Sequence, residues 1–378
     1  MPIKHVVHII TGLNTGGAEM MLFKLLASMD KKEVEHHIIS LLDEGTIGVK
    51  IKSLGIPVYA LKMRGTLGMI NALATLFCRI RRINPDLVQG WMYHGNLAAS
   101  LAGIFVRKNV KVLWNIRHSL SDIGAEKRLT ILLVKAGARL SGFPAKILYN
   151  SYAAALQHEK LGYSQDKTHV IPNGFDLQQF RPDVDAKITL RQELSVDFNT
   201  PLIGLIARFH PTKDFNNFLQ AAALVHQKHS SARFVLVGKN VDTNNREIVK
   251  KIQQLALEGG VSLLGERSDI PQITAALDIA VNASKGEAFP NVVGEAMACS
   301  VPCVVTNVGD SARIVGDTGK VVPPCNPEAL AGAISELLEM RSAVRQNLGK
   351  TARQRITDLF SIQHVASEYE ALYKNYLQ

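Results

Sequence analysis

Several common signatures are absent from this chain of 378 residues. No G-x-G-x-x-G motif follows a predicted strand and no G-x-x-x-x-G-K-[S/T] motif occurs, which argues against a dinucleotide-dependent dehydrogenase and a P-loop NTPase. No run reaches the ~18 apolar residues that a membrane-spanning helix needs. The first residues enter an apolar segment without a basic region or a cleavage site, so no signal peptide is expected. The sequence therefore predicts a cytoplasmic protein.

Cysteine is scarce, and its four positions form no C-x-x-C pair: Cys78, Cys299, Cys303 and Cys325. Closely spaced cysteine pairs are typical of disulfide frameworks, zinc sites and redox motifs, and their absence argues against all three. We therefore expect four free thiols, buried, in a reducing compartment.

Positive charge is present in excess but in one half only. Residues 1–180 contain 22 Lys and Arg against 12 Asp and Glu, whereas residues 181–378 contain 21 of each. Nucleic acid, an anionic membrane or an acidic substrate would each explain a basic first half. Nucleic acid is disfavoured because no aromatic-rich basic groove or binding motif accompanies the charge.

Short apolar runs alternate with helical patterns along both halves of the chain. The strand candidates are HVVHII, EHHIISLL, IPVYAL, DLVQG, KVLWNI, KILYN, THVIP, PLIGLIA, RFVLVG, VSLLG, IAVNA and PCVVT. Strand–helix–strand alternation predicts parallel sheets with crossover helices. The turn pair Asn173-Gly174 and the rigid Pro182 place the break between two α/β domains, which we predict at 1–180 and 181–360.

Ligands of open parallel sheets bind beyond the carboxyl ends of strands. After the first strand, Gly16-Gly17 lets a backbone approach a ligand closely at a helix start, although a plain turn has the same signature. His118 follows another strand, where an imidazole can bond a sugar hydroxyl or take a proton, and His94 shares this position more weakly. A structural histidine remains the alternative for both.

Two cations follow the first strand of the second half. Arg208 and Lys213 are separated by a Pro-containing turn, ahead of a helix predicted to be capped near Asp214. A guanidinium fork and a mobile ammonium on one loop suit a diphosphate, and solvated surface cations are the alternative. The D-x-D pattern at Asp183 and Asp185 lies in the linker, and no metal role is expected there.

The segment GEAFPNVVGE, residues 286–295, places a carboxylate on each side of a helix start. Pro290 favours the first helical position, and the free amides of that first turn can hold an anion. Carboxylates cannot touch phosphate oxygens but accept bonds from hydroxyls, so Glu295 suits a ribose and Glu287 a second sugar. The predicted ligand is a nucleotide-sugar, against the alternative of a helix-dipole glutamate plus a loop glutamate.

The sequence resembles family 4 of the retaining glycosyltransferases. The segments that carry the likeness are TGGAE, WNIRHS, YNS, IPNGFD, ARFHPTKD and GEAFPNVVGEAMACSVPCVVT, the last of which contains the two glutamates of an E-x7-E motif. The resemblance implies the GT-B fold, in which two Rossmann-like domains face each other across a cleft. It implies that residues 1–180 bind the acceptor and 181–360 the donor, with a C-terminal helix, about 361–378, crossing back to the first domain.

The same resemblance implies roles for single residues. Arg208 and Lys213 would hold the diphosphate, Glu287 the transferred sugar and Glu295 the ribose. A further set would line the donor site: Gly17, Arg267 near the base, and the backbone of Ala288, Phe289, Pro290, Asn291 and Val292. His118 would lie near the reacting face of the sugar and count with Glu287, Arg208 and Lys213 as catalytic. Ser119 follows this histidine where many members have Asp.

The implied reaction retains the anomeric configuration and needs neither metal nor cofactor, because the leaving diphosphate deprotonates the acceptor hydroxyl. The donor is expected to be a UDP-sugar and the acceptor a saccharide or lipid-linked saccharide. Arg128, Lys135 and Arg139 share one predicted helix face, which suits the anionic inner face of the cytoplasmic membrane, with a solvated charged face as the alternative. Two alternatives stay open at this point: a nucleotide-sugar 2-epimerase of the same fold, and a sugar-nucleotide binding protein without turnover.

Overall fold

The computed structural model describes residues 3–30, 33–63, 65–106, 110–120 and 123–377. The chain divides into two compact units. Unit 1 contains residues 1–174 and 362–378, and unit 2 contains residues 175–361. The sequence predicted the boundaries between the two domains after residues 180 and 360.

Unit 1 is an α/β unit with seven parallel strands. They are β1 (Lys4–Ile10), β2 (Val34–Ser40), β3 (Val58–Ala60), β4 (Leu87–Trp91), β5 (Lys111–Ile116), β6 (Lys146–Tyr149) and β7 (Thr168–Val170). Its helices are α1 (Gly17–Ser28), α2 (Gly45–Ser53), α3 (Gly65–Ile83), α4 (Met92–Ile104), α5 (Arg128–Leu140), α6 (Tyr152–Lys160) and α15 (Ile362–Leu377). The strand order is β3-β2-β1-β4-β5-β6-β7.

Unit 2 repeats the design with six parallel strands. They are β8 (Leu202–Ile206), β9 (Arg233–Val237), β10 (Val261–Leu263), β11 (Ile279–Asn282), β12 (Cys303–Thr306) and β13 (Lys320–Val322). Its helices are α7 (Val184–Glu193), α8 (Phe215–Lys228), α9 (Arg246–Gln254), α10 (Ile270–Ala276), α11 (Asn291–Ala298), α12 (Ser311–Val315), α13 (Pro327–Glu339) and α14 (Ser342–Phe360). The strand order is β10-β9-β8-β11-β12-β13.

Both sheets have the doubly wound order of a Rossmann fold, so the predicted fold class is confirmed. Strand order reverses between β1 and β4 in unit 1 and between β8 and β11 in unit 2. Such a switch point opens a crevice at the carboxyl edge of the sheet because the two flanking helices cover opposite faces. The predicted donor residues at 208–213 and 287–295 therefore follow the two strands that flank its switch point, whereas Arg267 follows β10.

The C-terminal helix belongs to unit 1, as the sequence predicted. Helix α15 buries Val365, Tyr369 and Tyr373 in the same core as helix α1. Its hydroxyl groups are also bonded: the Tyr369 hydroxyl accepts from Asn115 Nδ2 at 2.8 Å and from Arg117 Nη1 at 3.0 Å. Apolar burial and directional bonds together seat this helix in one register.

Two sequence expectations need correction. The cysteines are free as predicted, but only Cys299 and Cys303 are buried, whereas Cys78 and Cys325 are exposed because they lie on a helix surface and in a turn. Strand β13 (Lys320–Val322) was not among the predicted strands.

Candidate functional site

The β8–α8 loop carries the two predicted cations of unit 2. It leaves β8 at Ile206 and makes a single turn over Pro211–Lys213 before Asp214 begins α8. Asp214 adopts a left-handed conformation with φ 46°, and its side chain caps α8 by accepting from the Asn217 amide at 3.3 Å. The predicted cap is confirmed, and this fixed turn holds Lys213 over the carboxyl edge of the sheet.

The β11–α11 loop lies beside it and carries the first glutamate. Glu287 Oε1 accepts a hydrogen bond from Ser284 Oγ at 2.7 Å and forms an ion pair with Lys213 Nζ. The Lys285 amide also donates to the Thr212 carbonyl at 2.8 Å, which joins the two loops through their backbones. The structure thus brings together two predicted site residues that are 74 positions apart in the chain.

Gly309 holds the β11–α11 loop from behind. It has φ +56°, and a Cβ atom there would lie 2.5 Å from the Glu287 carbonyl oxygen and 2.6 Å from that of Ala288. Only glycine adopts this conformation readily and permits so close an approach. The position of Glu287 is therefore set by backbone packing as well as by its own bonds.

Helix α11 begins at Asn291 immediately after Pro290, as the sequence predicted. No side chain caps it, and the Val293 amide donates to the Pro290 carbonyl at 3.2 Å. Phe289 is buried and stacks on Phe175, so only its backbone faces the loop. The start of α11 is thus a helix N-terminus without a side-chain cap, directly after the loop that carries Glu287.

The remaining predicted residues of unit 2 have different surroundings. Arg208 is exposed and has no ion-pair or hydrogen-bond partner among the residues that the structure describes. Glu295 is half-buried one turn into α11. Arg267 is committed to carboxylates, since Nη1 lies 2.6 Å from Glu193 Oε1 and Nη2 lies 2.7 Å from Asp269 Oδ2. These two acids raise the pKa of the Arg267 guanidinium.

The D-x-D pattern has a structural explanation. The Asp183 side chain caps α7 by accepting from the Ala186 amide at 3.0 Å, and Asp185 lies in the first turn of that helix, where the dipole favours acids. The pattern is therefore a helix start.

In unit 1, Gly17 is the first residue of α1, directly beyond the carboxyl end of β1. A Cβ atom at Gly17 would meet no atom of the described residues within 4 Å, so packing inside the chain does not require glycine here. No side chain caps α1. Both observations fit a helix start that faces a ligand.

His118 follows β5 and takes part in a polar chain. Its Nδ1 lies 3.3 Å from the Tyr93 hydroxyl, and its Nε2 lies 3.2 Å from Glu126 Oε1. Burial lowers the pKa of His118, and the negative charge of Glu126 opposes that shift. Ser119 instead donates to Gln157 Oε1 at 3.0 Å.

Glu126 was missed by the sequence reasoning. It follows a single turn of 3-10 helix at Ile123–Ala125, and that turn brings its carboxylate back to His118. The sequence offers only a weak signal, since Glu126 is the second acid after the histidine and lies eight residues from it. The carboxylate absent at position 119 is thus supplied from further along the chain.

One group of three metal-ligand side chains occurs among the described residues: His5, Glu35 and His37. It lies at the amino ends of β1 and β2, roughly 15–20 Å along the strands from the ligand-binding edge at about 3.3 Å per residue. His5 Nδ1 and His37 Nε2 are 3.2 Å apart and the ring centroids 5.5 Å, so the two nitrogens point at each other along the line of ring centres. This geometry is a histidine–histidine hydrogen bond and not a converging ligand set.

A pocket of about 470 Å³ also opens on unit 2, lined by Phe209, His210, Asp214, Phe215, Lys250, Lys285 and neighbouring side chains. None of the predicted site residues lines it. This concavity is therefore not the place where the predicted chemistry converges.

Comparison with known proteins supports the family. Residues 15–179 match the family described as Glycosyltransferase Family 4, and residues 200–340 match Glycosyl transferases group 1. The chain is 26% identical to EpsF of Bacillus subtilis (strain 168) over 97% of each chain. It is 25% identical to the N,N'-diacetylbacillosaminyl-diphospho-undecaprenol alpha-1,3-N-acetylgalactosaminyltransferase of Campylobacter jejuni, over 90% of this chain and 92% of that one.

Among solved structures, the fold is similar to Anabaena Alr3699/HepE in complex with UDP. The TM-score is 0.84 at 23% identity, over 99% of this chain and 100% of that chain. At this identity the likeness concerns the fold, which agrees with the two doubly wound sheets. With the two family matches along both units, the chain is a glycosyltransferase of the family 4 type.

Proposed function

We propose that the chain transfers a sugar from a UDP-sugar to a hydroxyl of a lipid-linked saccharide, with retention of the anomeric configuration and without a metal, in the biosynthesis of a polysaccharide or glycoconjugate. One observation carries the proposal. At the switch point of unit 2, a lysine, a glutamate and the uncapped start of α11 converge on one loop pair. A diphosphate followed by a sugar needs these groups in this arrangement.

The leaving group is the part of the donor best supported by geometry. Lys213 would bind the diphosphate as a point charge, Arg208 as a fork, and the amides at the start of α11 as neutral donors. Stabilisation of the developing negative charge by fixed donors is worth several kcal/mol in comparable sites. A metal ion is then not required for charge neutralisation.

In the structure Lys213 forms an ion pair with Glu287. A donor would separate this pair, with the diphosphate taking the ammonium and a sugar hydroxyl taking the carboxylate. Glu295 would accept the ribose hydroxyls one turn along α11. Arg267, held by Glu193 and Asp269, would offer the base a rigid planar surface and little free charge.

Retention follows from the same groups. We propose that the leaving diphosphate oxygen accepts the acceptor proton on the face from which it departs, through an oxocarbenium-like state. Positioning and charge stabilisation then account for catalysis. The family 4 assignment supports this route.

UDP is preferred over GDP because the similar Anabaena structure is a UDP complex. Calorimetry of the full chain with UDP and GDP tests the nucleotide. Product analysis with a panel of UDP-sugars and a lipid-diphosphate saccharide, in the presence of EDTA, tests transfer, anomeric configuration and metal independence together. Tighter GDP binding, an inverted product or a strict metal requirement would each overturn the matching part of the proposal.

The relative from Campylobacter is named for an undecaprenol-linked substrate, and unit 1 has a surface that suits a lipid-linked acceptor. Helix α5 exposes Leu129, Leu132 and Leu140 together with Arg128, Lys135 and Arg139. Apolar side chains between cations on one helix face are typical of binding at an anionic interface. We propose peripheral association of this face with the inner leaflet; no helix in the described ranges is long and apolar enough to cross a bilayer.

Vesicle co-sedimentation tests the surface. Each cation near an anionic bilayer contributes about 1 kcal/mol, so changing Arg128, Lys135 and Arg139 to Glu is expected to reduce partitioning by about two orders of magnitude. The matched control changes three exposed cations of unit 2, Lys228, Arg246 and Lys250, to Glu. Equal binding to neutral and anionic vesicles, or equal loss in both triple variants, would contradict a specific membrane face.

A further inference from the structure

A chain of polar contacts runs from the interior of unit 1 to His118. His158 Nδ1, on α6, lies 2.7 Å from the Ala154 carbonyl oxygen, and His158 Nε2 lies 2.9 Å from the Tyr93 hydroxyl of α4. The hydroxyl lies 3.3 Å from His118 Nδ1, and His118 Nε2 lies 3.2 Å from Glu126. His158 and Tyr93 are buried, whereas His118 and Glu126 are partly exposed.

The direction of each bond follows from what each atom can do. A carbonyl oxygen only accepts, so His158 Nδ1 carries a proton. Burial lowers the pKa of His158 to about 4, so the ring is neutral at pH 7 and its Nε2 is a bare acceptor. The Tyr93 hydroxyl, whose pKa burial raises, therefore donates to His158 Nε2.

With its proton directed at His158, the Tyr93 oxygen is left only as an acceptor for His118. His118 Nδ1 must then carry a proton, whether the ring is neutral or charged. Nε2 becomes the one ring atom that can gain or lose a proton. That atom faces Glu126, and a bare nitrogen beside a bare carboxylate is unfavourable, so one proton lies between the two groups.

We infer that Tyr93, backed by His158, is a positioning residue that fixes the Nδ1–H form of His118, and that Glu126 is the resident partner of Nε2, which a substrate hydroxyl displaces. The identity of that hydroxyl as one of a sugar rests on the proposed function. The fixed form of the ring and the role of Glu126 rest on the contacts alone.

Displacement has a definite consequence for the ring. When a hydroxyl replaces Glu126, His118 loses the negative charge that opposes the effect of burial. The shared proton leaves with Glu126, the ring is neutral, and its Nε2 accepts a hydrogen bond from the hydroxyl. Tyr93, His158 and Glu126 are the titratable groups that face His118 among the described residues.

Long-range proton–nitrogen NMR on the histidine-labelled full chain tests the ring form directly. The His118 signals are assigned by their loss in His118→Gln. In the wild type, neutral His118 is expected with its proton on Nδ1. A neutral His118 ring with its proton on Nε2 and none on Nδ1 would overturn the inference, and this measurement needs neither a variant at Tyr93 nor turnover.

Two variants test the partners. Tyr93→Phe removes the acceptor, so neutral His118 is expected to shift toward the Nε2–H form that free histidine prefers, while Tyr152→Phe, on the exposed start of α6, leaves it unchanged. Glu126→Gln is expected to lower the pKa of His118, with Glu159→Gln as the matched control. An unchanged ring form in Tyr93→Phe, or an unchanged pKa in Glu126→Gln, would overturn the role of that residue.

Steady-state kinetics test the positioning role of Tyr93 independently of the NMR measurements. Tyr93→Phe is expected to lower kcat about fivefold or more with little change in donor KM, because it misorients a group without removing it. Wild-type kcat would remove the positioning role. If no sugar is transferred while the NMR results hold, the proposed function fails and the fixed ring form of His118 stands. If sugar is transferred but the NMR results do not hold, the proposed function stands and the positioning role of Tyr93 fails.

Discussion

The loop after the first strand of unit 1 carries Gly16 and Gly17 and no charge before Glu19. The equivalent loop of unit 2 carries Arg208 and Lys213. Both loops leave the strand beside a switch point in sheets of the same order. The backbone topology therefore supplies a crevice in each unit, and the side chains after the strands decide what binds there.

The interiors differ as well. Unit 1 buries His8, His36 and His158 with both tryptophans of the chain, Trp91 and Trp114. The three histidines of unit 2 lie in loops or at helix ends and none is fully buried. Buried histidines are thus part of the core of unit 1 and not of unit 2, which gives a way to separate the two units experimentally.

The largest expected effect is acid destabilisation of unit 1. The folded-state pKa of His158 is about 4 against an ordinary 6.5, so the unfolded chain binds a proton that the folded chain refuses. Stability is therefore lost as the pH falls from about 6.5 to 4, by about 3 kcal/mol at 1.36 kcal/mol per pH unit. The pKa of His8 is lowered in the same direction.

Urea unfolding followed by tryptophan fluorescence measures the stability of unit 1 as a function of pH, because both tryptophans lie in that unit. A single tryptophan introduced at Phe234, in the core of unit 2, provides the matched probe. Equal loss of stability for both probes, or none between pH 6.5 and 4, would contradict the difference between the units.

The next effect concerns the charges of unit 2. Under the proposed function, Lys213→Ala and Arg208→Ala each remove a charged bond to the leaving diphosphate, worth roughly 1.5–3 kcal/mol, and are expected to lower kcat/KM at least tenfold. Lys250→Ala, an exposed lysine of the same unit, serves as the control. Turnover at wild-type rates in both variants would identify the pair as surface charge.

The sequence predicts this site better than the one in unit 1, for a physical reason. Arg208, Lys213, Glu287 and Pro290 lie in loops directly after apolar strands, and parallel strands bring such loops to one edge. The partners of Arg267 depend on where α7 places Glu193, 74 positions away, which no local pattern records. The same holds for the contacts of His118 with Tyr93 and Glu126.

A smaller effect is expected for the docking of α15. Tyr369→Phe keeps the ring but removes the oxygen that accepts from Asn115 and Arg117. Leaving buried donors without an acceptor costs about 1–3 kcal/mol, so urea unfolding of unit 1 should begin at lower concentration. Tyr152→Phe, on an exposed tyrosine, should not change it. Wild-type stability in Tyr369→Phe would mean that apolar packing alone seats the helix.

The smallest expected effect has the most informative sign. Glu287→Gln keeps an acceptor for Ser284 but removes the charge that holds Lys213. UDP lacks the transferred sugar that residue 287 is proposed to contact. It is expected to bind a few-fold tighter, because Lys213 is released and a half-buried ion pair is worth about 1 kcal/mol. Turnover of the UDP-sugar should fall, since its hydroxyl loses a charged acceptor.

Calorimetry of UDP binding to Glu287→Gln, to Lys213→Ala and to the double variant measures the coupling between the two residues, and Glu247→Gln serves as the control. If Glu287→Gln weakens UDP, or still tightens it when Lys213 is absent, the two residues do not exchange partners on donor binding, and Glu287 is a structural support of the loop.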